Sequence, residues 1–240
     1  MKTTELTTTL YKADSRGYAD HGWLKSYHTF SFSSYYEPTR MNFGLLRVLN
    51  DDWVAPGGGF GKHPHDNMEI VSIPLAGTLA HSDSTGRNKE IKTGDVQIMS
   101  AGSGIQHSEF NHSRSEAVQF LQIWVFPKEK NIDPRYEQKT FSLSERKNKW
   151  QTVVSPADDQ ALWINQDAYF SLAKPEKGTE LEYRVNKEGH GLFLMVLEGS
   201  AQVGDQKLER RDALAIEGAD TLAVVATEAA ELLLIEVPMN

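Results

Sequence analysis

Apolar runs of four to nine residues, each closed by Gly, Pro, Asn, Asp or a polar stretch, recur down the chain, and helical periodicity is scarce. The runs are Phe43–Leu49, Met68–Leu75, Val96–Met99, Val118–Phe126, Ala168–Ala173, Leu192–Leu197, Ala213–Ile216, Leu222–Val225 and Leu232–Val237. Segments of that length, bounded by turn formers, read as strands rather than helices. Gly204-Asp205, between Ala201–Val203 and Gln206–Leu208, reads as a tight hairpin turn. The expected fold class is therefore all-β, a sandwich or barrel, with helix only in small pieces.

The rest of the composition excludes more than it selects. At 240 residues and 39% hydrophobic, the chain is long enough to bury a sizeable core without a metal to hold it together. A net charge of −8 and the lack of a Lys/Arg run disfavour direct nucleic-acid binding and attraction to anionic membrane surfaces. The densest basic cluster, Arg146, Lys147 and Lys149, reads as a solvated connector. Without cysteine there is no disulfide, thiolate nucleophile or Cys-ligated zinc. No run approaches the ~18 apolar residues of a membrane span, and Met1–Leu10 holds nothing like a signal peptide. A cytoplasmic protein is expected.

An internal repeat points to two related halves. Ile70–Gly102 runs apolar strand, Leu75-Ala-Gly77, hairpin, Thr93-Gly-Asp95, apolar strand and Gly102. Leu192–Gly218 repeats the order with Leu197-Glu-Gly199, Arg210-Arg-Asp212 and Gly218. The Gly-to-Asp interval is 18 residues in the first copy and 13 in the second, as when only a hairpin loop shortens. A junction is expected within the polar stretch Lys128–Lys149, and the domains are read as 1–135 and 136–240.

The chemistry concentrates in the first copy. His63-Pro-His65 follows the glycine-rich Gly57–Gly61, and His107-Ser-Glu109 follows Ala101-Gly-Ser-Gly104. In a strand, residues i and i+2 share a face, so each pair presents two donors side by side. A hairpin-rich stretch between them can bring His63, His65, His107 and Glu109 to one point. Three nitrogens and one oxygen suit a divalent first-row metal. Six-coordinate Fe(II), Mn(II), Ni(II) or Co(II) would keep two positions open, Cu(II) could be held, and Zn(II) could make a closed structural site. One open, reactive metal is expected, Fe(II) first.

Other histidines read differently. His21 and His28 flank Trp23 and could approach the site, although a hydrogen-bonded structural role is the expectation for each. His81 and His112 fall in turn-like sequence and His190 lies between glycines, so none of the three is assigned a role. Phe43, Leu45, Met68, Ile105 and Trp124 are the candidates for an apolar pocket wall.

These motifs resemble a known family. Gly57-x5-His63-x-His65-x3-Glu69-x7-Gly77 resembles the first cupin motif, and Gly94-x5-Ser100-x-Gly102-x4-His107-x3-Asn111 the second. Ser100 stands where cupins usually carry proline, and two extra residues precede His107. Arg16-Gly-Tyr, His21-Gly-Trp-Leu, His28-Thr-Phe-Ser-Phe, Leu46-Arg-Val-Leu-Asn-Asp-Asp52, Met99-Ser-Ala-Gly-Ser-Gly-Ile105 and Pro134-Arg-Tyr-Glu-Gln138 narrow the likeness. They are similar to the pirin family, in its bacterial quercetin 2,3-dioxygenase type. The resemblance implies a bicupin of two tandem antiparallel β-barrel (jelly-roll) domains. It also implies a metal in the N-terminal domain only, on His63, His65, His107 and Glu109, the same four that spacing selects. Glu69 sits at the usual cupin carboxylate position, which makes it a candidate to orient an imidazole N–H, or else an exposed strand-edge charge. Counting from the second repeat's glycines lands on Val185, Lys187, Ala223 and Val225, so no ligand set is expected there.

Two functions follow as expectations from the resemblance. One is an O2-dependent dioxygenase opening the ring of a flavonol-like aromatic enol, with Glu109 as metal ligand and as the general base that takes the enol proton. The other is a metal- or redox-responsive regulator that binds a protein partner without turnover. A monomer is the expected state.

Overall fold

A computed structural model describes residues 6–240; of the segment Met1–Leu10 read above, residues 1–5 lie outside the described part. The first half carries β1 (Thr7–Tyr11), β2 (Gly17–Asp20), β3 (Leu24–His28), β4 (Leu46–Val54), β5 (Gly59–His65), β6 (Glu69–Ala76), β7 (Thr78–Asp83), β8 (Asn88–Lys92), β9 (Asp95–Ser100), β10 (Ile105–Asn111), β11 (Val118–Val125) and β12 (Arg135–Thr140). The second carries β13 (Trp150–Val154), β14 (Tyr169–Ala173), β15 (Glu180–Arg184), β16 (His190–Glu198), β17 (Ala201–Val203), β18 (Gln206–Leu208), β19 (Ala213–Glu217), β20 (Thr221–Ala226) and β21 (Glu231–Pro238). The described helices are two short 3-10 turns, Ala13–Ser15 and Leu143–Arg146, and none is long and apolar enough to cross a membrane.

Each expected apolar run is a strand, in whole or for most of its length, and all but Leu222–Val225, whose Ala223 is exposed, are buried on both faces. Four antiparallel sheets stack in layers. A seven-stranded sheet, β12-β9-β6-β11-β4-β3-β2, lies against a six-stranded sheet, β1-β19-β16-β21-β14-β13. Between them Leu49, Val71, Ile98, Leu121 and Ile123 of the first meet Phe193, Met195, Ala215, Leu233 and Ile235 of the second. Two four-stranded sheets, β5-β10-β7-β8 and β15-β20-β17-β18, cover the outer faces. Strands with a neighbour layer on each side need apolar groups at successive positions, which explains the continuous runs in β11, β16 and β21. The halves are thus two jelly-roll sandwiches of the cupin kind, built from open facing sheets instead of closed barrels.

The linker strand stays with the first half, while β1 crosses to the second. The expected linker contains β12, which pairs with β9 at the edge of the seven-stranded sheet. β1 pairs with β19 and extends the sheet of the other half, Thr8 opposite Ile216 and Leu10 opposite Leu214. Arg146 of the basic cluster donates from Nε to Gln151, while Lys147 and Lys149 pair with Glu176 and Glu145.

The repeat is visible in backbone detail. Gly77 and Gly199 adopt φ of 79° and 76°, and a Cβ there would meet a backbone carbonyl, of Ala117 at 2.8 Å and of Ala229 at 2.1 Å. Glycine alone suits both demands. Asp95 accepts the N–H of Lys92 at 2.9 Å, and Asp212 that of Glu209 at 3.0 Å, the same three-residue reach at the same turn.

The interiors of the two sandwiches differ. The inward face of the six-stranded sheet runs Ser171, Leu234, Leu194, Leu214 and Leu10 across β14, β21, β16, β19 and β1. These leucines pack against Leu181, Leu222 and Val224 of the covering sheet. The inward face of the seven-stranded sheet instead aligns His28, Asn50, Gln122, Ser72 and Gln97 across β3, β4, β11, β6 and β9. All five are buried. Apolar residues close this sandwich only at its ends: Leu24, Val54, Leu79, Ile91 and Phe120 at one, Ile70, Met99 and Ile105 at the other.

Candidate metal centre and cavity

β5 and β10 pair antiparallel with His63 opposite His107 and His65 opposite Ile105. Because i and i+2 share a face, His65 and His107 also converge, and the rings form a triangle. Centroids lie 4.9 Å apart for His63–His65, 4.4 Å for His63–His107 and 4.8 Å for His65–His107. One nitrogen from each falls within 4.8 Å of the others. His63 Nδ1 lies 2.8 Å from the Gly61 carbonyl, which settles the proton there and leaves Nε2 as the free lone pair. Both ring nitrogens of His107 are buried without a partner. Burial, with the neighbouring histidines, lowers His65 to about 4 and His107 to about 2, so both imidazoles stay neutral and able to donate to a cation.

Glu109 stands beside this triangle. The ladder slips between His107 and Glu109, which aligns Glu109 with Phe60. On the other side β10 meets β7, with Glu109 opposite His81 and His107 opposite Asp83. Donor atoms of His81, His107 and Glu109 lie within 4.8 Å of one another, so His107 belongs to two groups. The Glu109 carboxylate reaches the seven-stranded sheet: Gln122 Nε2 donates to Oε2 at 2.7 Å, and the Ser72 hydroxyl lies 3.3 Å from Oε1. Burial pushes its carboxyl up to about 7 against those hydrogen bonds.

His81, read as turn-like, is instead in β7 and buried, with Nε2 3.0 Å from Asp83 Oδ2 and its ring 4.7 Å from that of Tyr136. Its strand is polar and alternates weakly, so nothing in the local pattern marked it. Glu69 neither orients an imidazole nor lies exposed at an edge. It is buried on the opposite face of β6, where it accepts from the Ser100 hydroxyl at 2.8 Å and the Asn165 N–H at 3.1 Å. An odd position on β6 faces the other half, as Val71 and Ile73 do. His190 is also spoken for, with Nδ1 2.9 Å from Glu236.

His63, His65 and Glu109 line a cavity of about 440 Å³, within the range of small-molecule sites. Trp124 lines it as expected, together with Trp23, Leu24, Phe32 and Phe60. The other expected wall residues pack elsewhere: Phe43 and Leu45 in the core between the halves, Met68 and Ile105 around Met99. His21 and His28 both line the cavity, and His28 Nδ1 is buried and unpartnered, contrary to the expected structural role. Ser26, Asn50 and Asp52 line it as well.

The family models described as Pirin and as Quercetinase C-terminal cupin domain match residues 10–125 and 152–237. Quercetin 2,3-dioxygenase of Escherichia coli is 42% identical over 95% of this chain and 98% of its own length. A pirin-like protein of Caulobacter vibrioides is 40% identical over 93% and 96%. The crystal structure of the Escherichia coli bacterial pirin YhhW in complex with nickel(II) superposes with a TM-score of 0.92, at 39% identity, covering 97% of this chain and 99% of that one. With matched halves, full-length relatives and a shared fold, this chain belongs to the pirin family.

Proposed function

We propose that the protein is a metal-dependent dioxygenase that opens the ring of a flavonol-type aromatic enol such as quercetin with O2. The observation that carries this reading is the imidazole triangle, two members kept neutral by burial and one with both nitrogens unpartnered, beside a buried carboxylate on an aromatic cavity. The name of the Escherichia coli relative, at 42% identity, supports it. His63, His65 and His107 would hold one divalent transition metal and Glu109 would complete the set. The donors fit such an ion because the three imidazoles lie close together, burial keeps His65 and His107 neutral, and both nitrogens of His107 lack a partner. Fe(II) is proposed first, ahead of Cu, Ni, Mn, Co and Zn. The bound ion supplies Lewis acidity toward the enol hydroxyl and redox contact with dioxygen.

The chain's own residues supply the rest. Glu109 accepts the enol proton at a carboxylate oxygen held in place by Gln122 and Ser72. Trp124, Phe32, Trp23 and Phe60 clasp a flat ring system and keep water from it. In this reading residues 1–135 form the metal-binding domain and 136–240 a cupin domain without ligands, its interior filled by the leucine row.

The test is loss of quercetin absorbance with and without O2, on protein loaded separately with Fe(II), Cu(II), Ni(II) or Mn(II). Turnover that needs O2 and disappears in Glu109→Gln is the expected result. No turnover with any fully loaded metal would refute the proposal.

A further inference from the structure

In the polar row across the seven-stranded sheet, Gln97 at one end is buried with both amide atoms unpartnered and lies off the cavity, and the other four residues divide into two pairs. Gln122 and Ser72 hold Glu109. On the next two strands beyond Gln122, Asn50 and His28 hold nothing: Asn50 Oδ1 and His28 Nδ1 are buried without a hydrogen-bond partner, each residue being 2% exposed. Asp52 lies on the same face of β4, opposite Ser26, whose hydroxyl donates to its Oδ1, and is 4% exposed. All three line the same cavity as His63, His65 and Glu109. The sheet does not require a run of such groups, since the equivalent row of the other half is leucine at every position but Ser171. Buried polar atoms left unsatisfied are costly, so two neighbouring ones facing a cavity mark a place where something else completes the bonding.

We propose that His28, Asn50 and Asp52 form a second binding subsite in the cavity, which recognises ring hydroxyls of a polyhydroxylated aromatic ligand whose reacting end faces the histidine triangle. The inference rests on the aromatic-enol reading above and names the substrate class within it. The spacing fits: two strand separations from Gln122 to His28 span about 10 Å, room for fused or linked aromatic rings. The wall between the two ends is aromatic throughout, with centroids 4.9 Å apart for His65–Trp124, 5.4 Å for Trp124–Phe32 and 5.3 Å for Phe32–His28.

The chemistry selects donors. Asn50 Oδ1 and the Asp52 carboxylate accept, and His28, held unprotonated by burial and by His21, offers a ring lone pair. A ligand with O–H groups at this end satisfies His28 and Asn50 and adds to the bond Asp52 accepts from Ser26, whereas a bare ring leaves His28 and Asn50 unpaired. Sites built around a hydroxyl discriminate against the analogue lacking it far more strongly than apolar pockets discriminate by size.

The test compares two flavonols by titration calorimetry on the purified protein: quercetin, hydroxylated on both ring systems remote from the enol, and 3-hydroxyflavone, which lacks those groups. Quercetin is expected to bind at least tenfold more tightly. In Asn50→Leu and His28→Phe that ratio is expected to fall to about twofold or less, while affinity for 3-hydroxyflavone stays within about twofold of the parent. Equal binding of the two flavonols by the parent protein overturns the subsite and leaves the dioxygenase reading standing, and so does a ratio unchanged in both variants. Failure of both flavonols to bind the parent overturns the subsite together with the flavonol reading. The parent comparison needs no variant to fold.

Discussion

Asp52→Asn tests the energetic side of the cavity floor. The carboxyl is 4% exposed, and burial, with the charges of Asp51 and Glu109 adding to it, pushes it up to about 7, while the Ser26 hydroxyl works in the opposite direction. In the unfolded chain it titrates near 3.9. A carboxyl raised on folding contributes most below its unfolded value, and that contribution is lost as pH rises through 7. At about 1.4 kcal/mol per pH unit, the folded state is about 4 kcal/mol worse off at pH 8.5 than it is when Asp52 is protonated. Asparagine keeps the shape and can still accept from Ser26, but has no charge to bury. The variant should therefore match the parent to within about 0.5 kcal/mol at pH 4 and exceed it by about 2–4 kcal/mol at pH 8.5, the lower figure where water reaches the ionised group. Urea unfolding of the metal-free proteins at the two pH values measures this. The other titrating groups are common to both and largely cancel in the difference. A gap under about 1 kcal/mol at pH 8.5, or one independent of pH, would show that Asp52 is not a buried carboxylate held at thermodynamic cost.

Three further outcomes are expected. His107→Ala should abolish uptake of Fe(II) or Ni(II) in equilibrium dialysis, since it removes the residue shared by both donor groups; full occupancy would contradict the site. Glu109→Gln should lower turnover of quercetin by about 10²–10⁴-fold, and unchanged turnover would rule out its role as proton acceptor. Phe193→Ala should destabilise the protein by about 3–5 kcal/mol, because Phe193 is fully buried between the halves against Tyr11, Phe30 and Phe43; a loss under about 1 kcal/mol would show that the two large sheets do not depend on that contact.

The reading from sequence reached what local pattern encodes. Strands buried on both faces announce themselves as apolar runs, so β6, β9, β11, β16, β19 and β21 were legible. The two-residue spacing of His63 and His65 forces a shared face whatever the rest of the fold does. Strands that face solvent or a polar cavity, such as β5, β7 and β10, carry no such signature, and His81 passed unnoticed within one of them. Glu69 shows the same limit from the other side: its motif position suggested an imidazole, but its parity on β6 turns it toward Asn165 of the second half.

What the sequence by itself determined was therefore the fold class, the duplication and the identity of the three histidines, all consequences of spacing along one chain. What only the tertiary structure decided was register. Which of Asn50, Gln122 and Ser72 lie opposite one another, which reach Glu109 and which face an open cavity depend on how strands some 20 to 70 positions apart slide into alignment. A slip of one residue would turn each of those side chains to the opposite face. The hydrogen bonds and packing that prevent it are made between segments that no local pattern connects.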